Sequence, residues 1–92
     1  MEREIINPWT WQDDFGFVQA NSLAGVQQVV VCSGQTSVDD DGVPVHANDM
    51  DAQAMKALDN LETVLSEGGF ALSDVVRLNY YVTDVGAFMA AT

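Results

Sequence analysis

The chain has 92 residues, 48% of them apolar, and carries fourteen acidic against three basic residues, for a formal net charge of −11. That length suits one domain near the lower limit for a self-sufficient core, and the apolar fraction makes it globular rather than disordered. Three scattered cations (Arg3, Lys56 and Arg77) build no basic patch, so charge-driven binding to nucleic acid or to an anionic membrane is not expected.

No apolar run approaches the ~18–20 residues that span a bilayer. The opening Met-Glu-Arg-Glu-Ile-Ile lacks the basic region and long apolar core of a signal peptide. One cysteine, Cys32, excludes an intramolecular disulfide and agrees with a reducing compartment. A soluble cytoplasmic protein is the expectation.

Taken in order, Glu2 to Asn7 reads as a short strand stopped by Pro8, which has no N–H to donate. Trp9 and Trp11 alternate with polar residues and are expected to lean this segment onto the core. Asp13-Asp14 and Gly16 mark a loop. Phe17-Val18-Gln19-Ala20 reads as a second strand, with Asn21 to Gly25 as a hairpin turn. Val26 to Ser33 then returns as a central strand. Its Val29-Val30-Val31-Cys32 run is too short for an independent helix, and its β-branched content favours burial on both faces. The run breaks abruptly into Ser33-Gly34-Gln35, a small polar turn of the kind that presents backbone N–H groups to a ligand or merely ends a strand.

Asp39-Asp40-Asp41-Gly42 is a turn signal, followed by the extended Val43-Pro44-Val45. The clearest helix runs from Asp49 to Glu67. Asn48 or Asp49 can cap it, and Asp51 adds negative charge near the positive end of the dipole. Met50, Ala54, Leu58, Leu61 and Leu65 recur at three- and four-residue steps and form one apolar face, while Gln53, Lys56, Asp59, Asn60 and Glu67 fall mostly elsewhere. Gly68-Gly69 ends it. Val75 to Thr83 alternates as a second strand, and strand, helix, strand at this spacing makes a parallel crossover unit. Asp84 is positioned to cap the start of a further helix over Val85 to Thr92. One long helix covers only one face of such a sheet, so a second subunit is expected on the other.

Few side chains suggest chemistry by type. Cys32 sits in an apolar run with no cation nearby to activate it, and reads as a buried structural cysteine. His46 is the only histidine; a Ser33–His46–Asp triad would have no nucleophile-elbow motif to support it. Asp39-Asp40-Asp41 lacks the remaining positions of a calcium loop, and Gly68-Gly69 follows a helix, unlike a phosphate loop. Arg77, on the mixed face of its strand, either holds a ligand carboxylate or reaches solvent or an acidic neighbour.

Taken together, Phe17-Val18-Gln19-Ala20, Val31-Cys32-Ser33-Gly34-Gln35, Asp51-Ala52-Gln53 with Ala57-Leu58-Asp59-Asn60-Leu61, Asp74-Val75-Val76-Arg77-Leu78 and Tyr81-Val82-Thr83-Asp84 resemble the RidA family, also called YjgF/YER057c/UK114. The similarity runs from about Phe15 to the last residue, and the ordered set of motifs is more specific than any one of them. The resemblance implies a single RidA-like domain over residues 1–92, with a chorismate-mutase-like α+β fold of a mixed sheet with helices on one face, assembled as a homotrimer with ligand clefts between subunits. It implies cofactor-free, metal-free hydrolysis of reactive enamine/imine acids to 2-keto acids and ammonia, with a non-catalytic metabolite-binding or assembly role as the alternative. The implied partners are further copies of the chain and a small carboxylate-bearing metabolite, not nucleic acid or a membrane.

Carried over by position, Ser33 and Gly34 match the pocket-lining Ser-Gly pair, Phe17 stands where active deaminases usually have tyrosine, and Thr92 falls near a pocket asparagine. The family's carboxylate-binding arginine and its glutamate belong to C-terminal strands that residues 1–92 do not include, nor do they include the rest of the last helix. The RidA-like domain is therefore expected to be incomplete at its C-terminus, as part of a longer protein, a truncated product or a relative that kept the scaffold for binding or assembly. Arg77 does not occupy that arginine position, and no catalytic residue is assigned within the chain.

Overall fold

The computed structural model describes residues 1–91 of the chain, which falls into two compact units, Met1–Val31 and Cys32–Thr92. Its architecture is α+β, with a small antiparallel sheet in the first unit and helices in the second.

In the first unit, strand β1 (Glu2–Ile6) pairs antiparallel with β2 (Ala20–Ala24), in a register that sets Glu2 opposite Ala24 and Ile6 opposite Ala20. The second strand therefore lies later than the Phe17–Ala20 expected from its composition, and most of the presumed Asn21–Gly25 turn is ladder. The reason is local. Pro8 ends β1, and a 3-10 turn over Trp11–Phe15 closes on Gly16 in the left-handed region (φ 73°). The Gln19 N–H then donates to Asn7 Oδ1 at 2.8 Å, which starts the return strand only after Gln19. A ladder partner outweighs the weak strand propensity of Ala-Asn-Ser-Leu-Ala. Trp9 and Trp11 stay exposed, contrary to expectation. Trp11 stands edge-on to Phe15 and Phe17, with ring centroids 6.4 and 5.7 Å away, as a surface corner. The fully buried side chain is Gln12.

In the second unit, helix α1 (Met50–Glu67) matches the predicted helix closely. Asp49 caps it, its Oδ1 accepting the Ala52 N–H at 3.0 Å. Its C-terminus closes in a Schellman arrangement. The Phe70 N–H donates to the Leu65 carbonyl at 2.8 Å and the Gly69 N–H to the Ser66 carbonyl at 3.0 Å, with Gly69 at φ 81°. Leu61 and Leu65 are the buried apolar residues, while Met50, Ala54 and Leu58 on the same face are half-buried. A short 3-10 turn, Leu72–Asp74, precedes helix α2 (Val85–Ala90). Asp84 caps α2 through the Ala87 N–H at 2.9 Å, as the sequence predicts, and α2 is in contact with α1.

Between Gln35 and His46 the chain forms a tight hairpin around the predicted acidic turn. Asp39 Oδ1 accepts the N–H groups of Asp41 and Val43, both at 2.9 Å, and Gly42 takes φ 77°. Val38 bridges Pro44, and Ser37 Oγ donates to the Val45 carbonyl at 2.7 Å.

Two predicted strands are absent among the described residues. Val26–Ser33 and Val75–Thr83 join no sheet, so the crossover unit built on them does not form within this chain. Val29 and Val31 are 73% and 90% exposed, and Tyr81 is 91% exposed, where burial on both faces was expected for the valines. Cys32 is half-buried rather than enclosed. The physical cause is a missing edge. A strand exists only where a neighbouring backbone supplies its hydrogen-bond partners, and apolar composition alone supplies none.

Candidate functional site

Ser33 and Gly34 sit at the start of the second unit, on backbone that belongs to no helix or ladder, and both are exposed. Among the described residues, neither of their N–H groups donates a hydrogen bond. The Ser33 carbonyl accepts from Gln35 Nε2 at 3.2 Å. Gly34 does not use the left-handed angles open to glycine; the positive-φ glycines are Gly16, Gly25, Gly42 and Gly69. A Cβ at Gly34 would meet nothing within 4 Å, so packing within the chain does not require glycine there. What glycine leaves is an open backbone surface that another molecule can approach closely.

Immediately downstream, the hairpin is fastened to α1. Asn60 Nδ2 donates to the Thr36 carbonyl at 2.9 Å and to the Val38 carbonyl at 3.0 Å. Two turns earlier on the same side of the helix, Gln53 Nε2 donates to the His46 carbonyl at 2.8 Å. The apolar periodicity of the helix puts both residues mostly off its apolar face, and the periodicity gives them no partner. A signal was nonetheless present: asparagine is a poor residue for a helix interior, and Asn60 stands seven residues, two turns, from Gln53 on one side of the helix.

Phe17 belongs to the first unit, where its ring packs edge-on against Trp11 and remains about half exposed. Thr92 lies outside the described residues. Arg77 and His46 are exposed, and His46 takes φ 66° in the turn before α1. Shallow open depressions lie along the β1–β2 hairpin beside Arg3 and Ser22 and between the Thr36–Val45 hairpin and Gln53; these two do not include Phe17, Ser33 or Gly34. Among the described residues no group of three or more His, Cys, Asp or Glu is placed to hold a metal ion. No helix among them is long and apolar enough to cross a membrane.

Exposed Ser-Gly backbone followed by a helix-fastened hairpin covers the centre of a longer match: a family model described as Endoribonuclease L-PSP fits residues 15–92. The chain belongs to the RidA family. Among curated relatives, Protein DfrA of Myxococcus xanthus is 38% identical over 56 residues, covering 61% of this chain and 43% of that protein. A RutC family protein of Pyrococcus abyssi is 27% identical over 63 residues, covering 68% and 50% respectively. The chain thus spans about half the length of the curated relatives it matches. No solved structure matches it. Within the matched residues Val31, Ser33 and Gly34 are exposed, and Cys32 and Gln35 are half-buried.

Proposed function

We propose that this chain contributes one wall of an intersubunit cleft in a RidA-like homotrimer that hydrolyses 2-imino and enamine acids. The observation that carries the reading is the open Ser33-Gly34 backbone within the RidA-family match, in a chain that also leaves apolar residues uncovered. Val29, Val31 and Tyr81 have strand-forming composition and no ladder, and in the chorismate-mutase-like arrangement a mixed sheet and neighbouring copies would cover them.

The chemistry asks little of a protein. Water adds to the electrophilic imine carbon, the carbon–nitrogen bond breaks, and the products are a 2-keto acid and ammonia. No electrons are transferred and no cofactor is called for. Ser33 would offer a hydroxyl and, with Gly34, backbone N–H donors to the polar end of the substrate. Such donors, fixed in place before the reaction, stabilise charge that develops on substrate oxygen or nitrogen. Phe17 brings a ring without the hydroxyl that active deaminases usually carry there.

That missing hydroxyl favours the second reading, a RidA-family member that binds small carboxylate metabolites without turning them over. One experiment tests both. A 2-imino acid is generated in situ by an amino-acid oxidase and its decay is followed with and without the protein. Faster decay supports the deaminase. Unchanged decay, together with saturable binding of 2-oxobutanoate, replaces it with the binding role. The family model's description names an endoribonuclease. A net charge of −11 weighs against grip on a phosphate backbone here.

A further inference from the structure

Backbone outside any ladder takes its position from whatever anchors its ends. For Ser33-Gly34-Gln35 the downstream anchor is Thr36–Val38, and that segment is held from two sides. The Thr36 carbonyl accepts from the Val38 N–H at 2.9 Å and from Asn60 Nδ2 at 2.9 Å, which occupies both of its lone pairs. The Val38 carbonyl takes the second hydrogen of the same amide at 3.0 Å. One NH₂ group divided between two carbonyls fixes the orientation of the intervening peptide planes as well as their distance from the helix. Gly34 stands two residues from Thr36, so the clamp acts within about 7 Å of backbone from the open wall.

We infer that Asn60 is a positioning residue for the Ser33–Gly34 wall, setting where those N–H groups point without touching the substrate. This rests on the metabolite-cleft reading above. Gln53 provides an internal comparison, since it makes a hydrogen bond of similar length from the same helix but holds His46, at the far end of the hairpin.

The test uses the full ¹⁵N-labelled chain and 2-oxobutanoate as probe. Asn60→Asp keeps the side-chain shape and removes both donors; Gln53→Ala removes the other clamp. In Asn60→Asp, exchange of the Val38 amide, which donates to the Thr36 carbonyl, is expected to accelerate about tenfold or more, the loss of roughly one net hydrogen bond's worth of local stability. The Ser33 and Gly34 amide resonances shift, and 2-oxobutanoate affinity falls several-fold. Gln53→Ala leaves the Ser33 and Gly34 resonances and the affinity at wild-type values. If Asn60→Asp does not fold, Asn60→Gln displaces the same donors by one methylene and is read in the same way. Ser33 and Gly34 resonances and probe affinity that respond no more to the Asn60 variants than to Gln53→Ala overturn the positioning role alone. A wild-type protein that shows no saturable shift at Ser33 and Gly34 overturns the cleft reading and the positioning role with it.

Discussion

The side chains of Gln12 and Gln19 are joined across the base of the 3-10 turn, Gln19 Nε2 donating to Gln12 Oε1 at 3.2 Å. Gln12 has no exposed surface, and its own Nε2 donates to the Trp9 carbonyl at 2.9 Å. A buried amide satisfied at both ends orders the entry into β2 in a way an apolar side chain would not. Gln12→Ala leaves the Trp9 carbonyl and the Gln19 amide without this partner and should destabilise the first unit by about 1–3 kcal/mol. A lower urea midpoint followed by tryptophan fluorescence is the measurement; an unchanged midpoint would mean that water replaces the side chain without loss.

The two capped helices give a matched pair. Asp49→Ala and Asp84→Ala each remove one acceptor for a free helix N–H, a change of about 1 kcal/mol. On the 18-residue α1 that loss should only fray the first turn, whereas the six-residue α2 has little else to hold it. Circular dichroism at 222 nm should therefore fall by a larger share of the affected helix's own signal in Asp84→Ala.

Adjacent glycines at the end of α1 should respond in opposite ways. Gly69 holds φ 81° with nothing near a prospective Cβ, so Gly69→Ala carries a purely conformational cost of about 1–2 kcal/mol. Gly68 holds φ −85°, and a Cβ there would make ordinary contacts at 3.5 Å with the Leu65 carbonyl and the Phe70 ring. Gly68→Ala should be neutral or slightly stabilising. Thermal midpoints of the two variants check this, and equal losses would rule out the left-handed cap as the cause.

If copies of the chain cover the exposed valines and tyrosine, stability must depend on concentration. Light scattering at micromolar concentration should give three times the 10.0 kDa chain mass, and the thermal midpoint should rise on tenfold concentration. A monomeric mass with a concentration-independent midpoint would remove the trimer from the proposal.

How much was legible in advance follows the range of the forces involved. Helix α1, the Asp84 cap, the double-glycine stop and the Asp39–Gly42 turn rest on contacts within about five residues and follow from residue order, which narrows the α1 cap to Asn48 or Asp49 and leaves the choice of Asp49 to the structure. The motif series also carried the RidA-family membership, because an ordered string of short motifs survives without any geometry. What composition could not decide was pairing. The valine run and Val75–Thr83 have the residues of strands but no ladder among the described residues, whereas the weakly strand-forming Ala20–Ala24 became one because β1 lies beside it. A strand is a property of two backbones, so it is decided in tertiary space. The clamp from Asn60 to Thr36 and Val38 belongs to the same class. Its partners lie 24 and 22 residues away, a relationship that no helical period or local propensity encodes.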